Sequence, residues 1–173
     1  MAFSVRKAIK SDMPAILGLI QELADFEKMP NGPQLTLNDL YRDGGFDGSN
    51  TSPLFFCFVA EGTDSSNGSS LGIVGYALCF YTYSTWQGRS VFLEDLYVRP
   101  SYRKQGVGKL LFIEIAKHAK EMNANRLELH VLDWNPARKF YEKLGGSNLT
   151  EKEGWHYTRY DRQAIESIAN GTK

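Results

Sequence analysis

The stretch "SVFLEDLYVRPSYRKQGVGKLLFIEIAKHAKEM", from Ser90 to Met122, restricts the fold more than any other part of the chain. A run rich in apolar and aromatic residues meets a turn punctuated by Gly106 and Gly108, and helical spacing follows at once. A second strand-like run, "RLELHVLDW", comes next. Strand, helix, strand in this order requires a crossover, so at least one pair of strands is parallel and a helix covers the sheet between them.

The flanking segments fit around that unit. "PLFFCFVAE" and "LGIVGYALCFYTYS" read as two antiparallel strands. The polar segment between them, "GTDSSNGSS", is expected to be a mobile tip without structure of its own. Before them, residues 12–26 place Ile16, Leu19, Ile20 and Leu23 on one helical face, with Ser11 or Asp12 as cap and Pro14 in the first turn. Thr36 can cap a short helix, "LNDLYRD", that stops at Gly44-Gly45. After the crossover, "PARKFYEKLG" and "RQAIESIA" have helical spacing and "WHYTRYD" reads as a last strand. The expected fold is α/β (α+β): a mixed, mostly antiparallel sheet of about six to seven strands with helices on both faces. At 173 residues, one domain spanning 1–173 is expected.

Composition excludes several functions. Twenty basic residues balance twenty acidic ones, which argues against a nucleic-acid face but leaves room for a local anion site. No apolar run reaches membrane-spanning length, and "MAFSVRKAIKSDMP" lacks the apolar core of a signal peptide, so a cytoplasmic chain without a membrane partner is expected. Cys57 and Cys79 lie in apolar strand-like runs and read as small buried thiols. His118, His130 and His156 have no ligand spacing to one another or to the cysteines, so no metal is expected. Trp134 and Trp155 read as core or interface aromatics. Asn-x-Ser/Thr begins at Asn50, Asn67, Asn148 and Asn170; without a secretory signal these read as chance or turn chemistry.

The glycine turn suits an anion. A helix N-terminus exposes unpaired N–H groups and partial positive charge, and glycines let a phosphate come close. "RKQGVGK" lacks the Gly-Lys-Ser/Thr of a P-loop, and Leu111 stands where a dinucleotide turn needs its third glycine. What it carries is Arg-x-x-Gly-x-Gly after a strand and before a helix, which resembles the pyrophosphate turn of the GNAT acetyltransferase superfamily. "LDWNPARKFYEKLGG" resembles that family's second signature, an Asn near a strand end followed by a helix with a tyrosine closing on glycine. With "QELADFEKM" and "EGWHYTRYD", the resemblance narrows to the diamine acetyltransferase branch and covers nearly the whole chain, most weakly from Gly44 to Ser70.

That resemblance implies an enzyme using acetyl-CoA as co-substrate. Amides of Lys104, Gln105, Gly106, Val107, Gly108 and Lys109 would hold the diphosphate, with Arg103 adding charge. Leu96, Tyr97 and Val98 would pair with the pantetheine arm where two strands splay apart. Asn135, with Pro136 and Ala137, would bind the same arm, and Asn135 can also cap its helix. Tyr141 would protonate the departing thiolate, since a phenol keeps its proton at neutral pH.

On the acceptor side, a period of two puts Phe92, Glu94, Leu96 and Val98 on one face, so Glu94 interrupts an apolar row. A charge there needs a partner, and a cationic amine supplies one whose proton Glu94 could accept. Asp95 faces the other way and reads as structural. The resemblance adds Phe26, Glu27, Glu128, Leu129 and His130 as acceptor contacts, and two acids in one pocket favour an acceptor with two amino groups. Where polyamine-acetylating members carry an acid before Pro-Trp, this chain reads Ser84-Thr85-Trp86. Thialysine or a similar lysine analogue is therefore favoured over spermidine, and a homodimer is implied. A coenzyme-binding module without catalysis would need neither Tyr141 nor Glu94, and a protein-directed acetyltransferase would differ only on the acceptor side.

Overall fold

The crossover sits at one side of a five-stranded sheet in order β1-β2-β3-β4-β5, in the computed structural model, which describes residues 1–48 and 52–171. The Asn50 match lies outside the described residues. Residues Met1–His130 form one unit, with β1 (Ala2–Lys7), α1 (Met13–Phe26), α2 (Leu37–Asp43), β2 (Phe56–Thr63), β3 (Ser70–Ser84), β4 (Gly88–Val98), α3 (Val107–Glu121) and β5 (Arg126–Leu129). The pairs β1–β2, β2–β3 and β3–β4 are antiparallel, and β4–β5 is parallel, as the intervening α3 demands. Val131–Lys173 form a second unit, with α4 (Ala137–Lys143), α5 (Leu149–Glu153) and α6 (Arg162–Ala169).

The apolar stripe of α1 buries Met13, Ile16 and Leu19 completely against Cys57, Val59, Tyr76 and Tyr97, and α2 adds Leu40. Each such side chain contributes roughly 1.5–3 kcal/mol. On the opposite face α3 buries Val107, Leu111, Ile115 and His118, the last packed at 4.4 Å and tilted by 51° against Phe56 and bonded through Nε2 to the Tyr81 hydroxyl at 2.7 Å. Helices thus cover both faces. Thr36 caps α2 reciprocally with Asp39, as its spacing predicts. Cys57 and Cys79 are buried free thiols, and burial pushes both well up from their ordinary range.

The structure departs from the sequence reading in four places. The sheet has five strands because β1 is added and two expected strands shorten or vanish. "RLELHVLDW" pairs only from Arg126 to Leu129, and "WHYTRYD" forms no ladder among the described residues. Each residue from Trp155 to Asp161 is exposed, so its β-forming composition has no sheet edge to act on. The β2–β3 tip is ordered by its own polar groups: Asp64 accepts from the Ser66 N–H and hydroxyl, and Asn67 from the Ser69 N–H. Trp134 and Trp155 are exposed, which leaves the interface half of their expected core-or-interface reading. Asn148 caps α5, the turn chemistry expected of its match.

Asp12 ties the first strand to the first helix. Its buried carboxylate accepts from Arg6 at 2.6 and 3.1 Å and from the Ile9 N–H at 2.8 Å. The Arg6 guanidinium holds the carboxyl below the ordinary range, against the opposing effect of burial. A depressed carboxyl pKa adds stability above its unfolded value that is lost as pH falls through the folded one. Burial, then the charge of Lys7, depresses His118, which loses stability in the same direction below its ordinary value. Asp12→Ala should therefore lower stability by about 1–2 kcal/mol near neutral pH, a value moderated by the partial exposure of Arg6. Urea unfolding checks this: the deficit should shrink as pH falls through the carboxylate range, and a pH-independent deficit would remove its ionic origin.

Candidate active site

The turn after β4 presents backbone rather than side chains. Lys104 (φ 60°) and Gly106 (φ 87°) both adopt the left-handed conformation, which strains any residue but glycine. The first helical bond of α3 runs from the Leu110 N–H to the Gly106 carbonyl at 3.0 Å, so the N–H groups of Val107, Gly108 and Lys109 have no acceptor within the helix. A Cβ at Gly108 would meet Leu96 at 3.7 Å, an ordinary contact. Neither backbone angle nor packing requires glycine there, whereas a close-approaching anion would. Gln105 donates to the Ser101 carbonyl at 3.1 Å and Lys104 is exposed.

Upstream, β4 loses one neighbour. Its ladder with β5 ends at Leu93↔Leu129, while β3 accompanies it to Val98. Leu96, Tyr97 and Val98 therefore keep a backbone edge off the β5 ladder, where an extended ligand could pair. The Arg103 Nε reaches back to the Val98 carbonyl at 2.7 Å.

A β-bulge changes the expected facing of Glu94. Cys79 opposes Leu93 and Leu78 opposes Asp95, so Glu94 is the extra residue. The bulge shifts the alternation: Leu93 lies on the face with Cys79, whereas Asp95, beside Leu78, lies on the α1 face. Phe92, Leu96 and Val98 do not form the single row that a strict period of two predicts, and Glu94 is exposed at the bulge. Asp95 takes the inward place, with its carboxylate accepting from the buried Tyr76 hydroxyl at 2.7 Å. Burial pushes the Asp95 carboxyl up, the Tyr76 bond opposes that, and the charge of Glu94 adds to it.

Glu27 follows α1 and is half-buried; burial raises its carboxyl pKa, and the charge of Asp95 raises it further. Glu27 and Asp95 thus both carry raised carboxyl pKa values, with the charge of Asp95 acting on Glu27 and that of Glu94 acting on Asp95. Near the β4–β5 pair, Glu128 accepts from the Ser90 hydroxyl at 2.7 Å, His130 packs edge-on to Phe92 at 4.8 Å, and Leu129 pairs with Leu93. At the hairpin end the Ser84 hydroxyl accepts from the Trp86 and Gln87 N–H groups, and the Trp86 ring is exposed.

In the second unit the Asn135 side chain accepts from the Ala137 N–H at 2.9 Å and starts α4 beside Pro136. Tyr141 is half-buried on that helix, its ring edge-on to Phe140 at 5.1 Å. The helix closes as a glycine C-cap, with Gly145 left-handed and the Gly146 N–H donating to the Tyr141 carbonyl at 3.0 Å. Among the described residues no cluster of His, Cys, Asp and Glu could hold a metal, and no helix is long and apolar enough to cross a membrane.

Comparison with known proteins gives these features a family. Residues 20–146 match the model of the Acetyltransferase (GNAT) family. Thialysine N-epsilon-acetyltransferase of Bos taurus is 40% identical over 98% of this chain and 99% of its own, and that of Mus musculus is 41% identical over 95% and 96%. Human spermidine/spermine N(1)-acetyltransferase-like protein 1 is 36% identical over 96% of this chain, which spans 24% of that longer protein. An integron cassette protein from the mobile metagenome of V. cholerae superposes with a TM-score of 0.71 at 20% identity over 98% of both chains, a likeness of fold. The chain belongs to the GNAT acetyltransferase family and is an N-acetyltransferase. Within the family it falls in the diamine acetyltransferase branch, beside the thialysine N-epsilon-acetyltransferases.

Sequence reasoning named Asp95 only as structural and did not single out Tyr76, because a bulge leaves no mark in the alternation of a single strand. Their coupling is measurable by carboxyl 13C titration. Tyr76→Phe removes the bond that stabilises the Asp95 carboxylate, so its midpoint should rise; Asp95→Asn should bring the Glu27 midpoint down. A Glu27 midpoint indifferent to Asp95→Asn would separate the two acids.

Proposed function

We propose that this protein transfers the acetyl group of acetyl-CoA to a primary amine of a small diamine, with thialysine or a similar lysine analogue favoured and polyamines weaker. The observation that carries this reading is the pair of acids with raised pKa, Glu27 and Asp95, with Glu94 at the adjoining bulge. Carboxyls raised by burial and by a neighbouring negative charge gain most from a bound cation, and an acceptor with a second ammonium meets more than one of them. The names of the thialysine-acetylating relatives point to the same acceptor class.

The turn fits the co-substrate: the bare backbone of Gly106 and Gly108, with Lys104, Gln105, Val107 and Lys109, receives the diphosphate, and the free edge of Leu96–Val98 pairs with the pantetheine arm. Asn135, Pro136 and Ala137 contact the same arm. The neutral amine attacks the thioester carbonyl carbon, having given its proton to the carboxylates on the Glu94 side directly or through water. The carbon–sulfur bond then breaks, Tyr141 gives its proton to the thiolate, and the nitrogen's remaining excess proton returns to the Tyr141 phenolate directly or through water. Phe26, Glu128, Leu129 and His130 contact the acceptor, and no metal takes part. The 1–173 chain acts as one cytoplasmic N-acetyltransferase domain in a homodimer; the exposed Trp155, Tyr157 and Tyr160 in an extended, unladdered segment support such an interface.

Steady-state kinetics test the assignment. Acetyl-CoA should bind at micromolar concentration, and kcat/KM for thialysine should exceed that for spermidine; a clear preference for spermidine overturns the acceptor choice and leaves the polyamine reading. Tyr141→Phe should lower kcat by roughly 10²-fold or more, with coenzyme affinity unchanged. An unaltered kcat would exclude the phenol as the acid.

A further inference from the structure

Arg103 belongs by sequence to the coenzyme turn, yet its side chain is directed elsewhere. Its guanidinium carbon lies 4.8 Å from the centroid of the Phe26 ring and 5.3 Å from that of Tyr97, over both rings, while its Nε is committed to the Val98 carbonyl at 2.7 Å. Phe26 is the last residue of α1 and precedes Glu27. Tyr97 is 5% exposed and lies on the β4 segment off the β5 ladder. One side chain therefore touches the coenzyme turn, the strand beside it and the helix end that presents an acceptor-side acid.

A second arginine holds the same helix one turn earlier. Arg99 makes a forked ion pair with Glu22, at 3.0 Å through Nε and 2.8 Å through Nη2, and donates to the Ile73 carbonyl at 3.2 Å. Glu22 and Phe26 are four residues apart and share a helix face. Without Arg103 the final turn of α1 would keep the packing of Leu23 and Phe26 against the core and the pair through Glu22, and would lose the cation laid over the Phe26 ring beside Glu27.

We propose that Arg103 is a positioning residue for the acceptor: its guanidinium, laid over Phe26 and Tyr97, fixes the end of α1 and so sets Glu27 relative to the coenzyme turn. This rests on the acetyltransferase reading above. A planar cation suits the task because it attracts both ring faces while its Nε–H remains available to the backbone. Ammonium at this position would keep the attraction to the rings and lose the Nε–H bond to the Val98 carbonyl.

Four variants decide it: Arg103→Met, Arg103→Lys, Phe26→Leu and the Arg103→Met/Phe26→Leu double variant, with folding checked by circular dichroism. At saturating acetyl-CoA, Arg103→Met and Phe26→Leu should each raise the acceptor KM by roughly tenfold, and the double variant by no more than either alone. Arg103→Lys should recover most of the loss. Multiplying effects in the double variant, or an acceptor KM unchanged in Arg103→Met while the coenzyme Kd rises, would make Arg103 a diphosphate ligand only. A readout independent of turnover is the Glu27 carboxyl 13C midpoint, which should fall in Arg103→Met and Phe26→Leu as the freed side chain hydrates; an unmoved midpoint overturns the clamp. Wild-type protein that transfers no acetyl group to any amine would defeat the functional reading, and the Glu27 midpoint would still judge the clamp.

Discussion

One extra residue in β4 determines what the acceptor side of this protein offers. Without the bulge at Glu94, β4 would present Leu93 and Asp95 to the same face and the sheet would carry a carboxylate in an unbroken alternation. With it, Leu93 joins the α3 face and Asp95 turns under α1, where a buried phenol waits as donor. The bulge also bends its strand, and β4 and β5 cease to pair at that point. The same irregularity thus places an acid inside and leaves a backbone edge off the ladder.

The elements legible from sequence are those whose signals are local. Thr36 with Asp39 announces α2, Pro14 and the apolar stripe announce α1, and the glycine turn with its helix announces the crossover, because caps, turns and helical periods are satisfied by residues within one or two turns. β1 was not legible. "AFSVRK" is short and ends in two cations, and it becomes a strand because β2 offers an edge and Arg6 finds Asp12 and Glu61. The reverse failure is "WHYTRYD", whose composition is that of a strand but which has no ladder among the described residues.

The site divides in the same way. Gly106, Asn135 and Tyr141 stand in motifs whose spacing reports their local geometry: a left-handed turn, a helix start, a helix closing on glycine. Asp95 and Arg103 depend on partners far along the chain, Tyr76 in one case and Phe26 in the other. Tertiary contacts of this kind decide whether a carboxylate is inside or outside and whether an arginine serves a phosphate or a ring. A motif fixes the backbone at such positions and leaves the side chain's task to the fold.

For an amine acetyltransferase, the raised acids have a consequence for how binding and proton transfer are linked. A carboxyl whose pKa is raised by burial ionises more readily once an ammonium approaches, because the cation supplies the stabilisation that water no longer does. A cation brought near Glu27 or Asp95 therefore opposes the upward push of burial on each carboxyl. The Tyr76 hydroxyl moderates this by favouring the charged form of Asp95 even before the acceptor binds. The proton affinity of Glu27 is raised by burial and by the charge of Asp95. Any displacement of the end of α1 changes both, so the packing of that helix sets how readily Glu27 ionises.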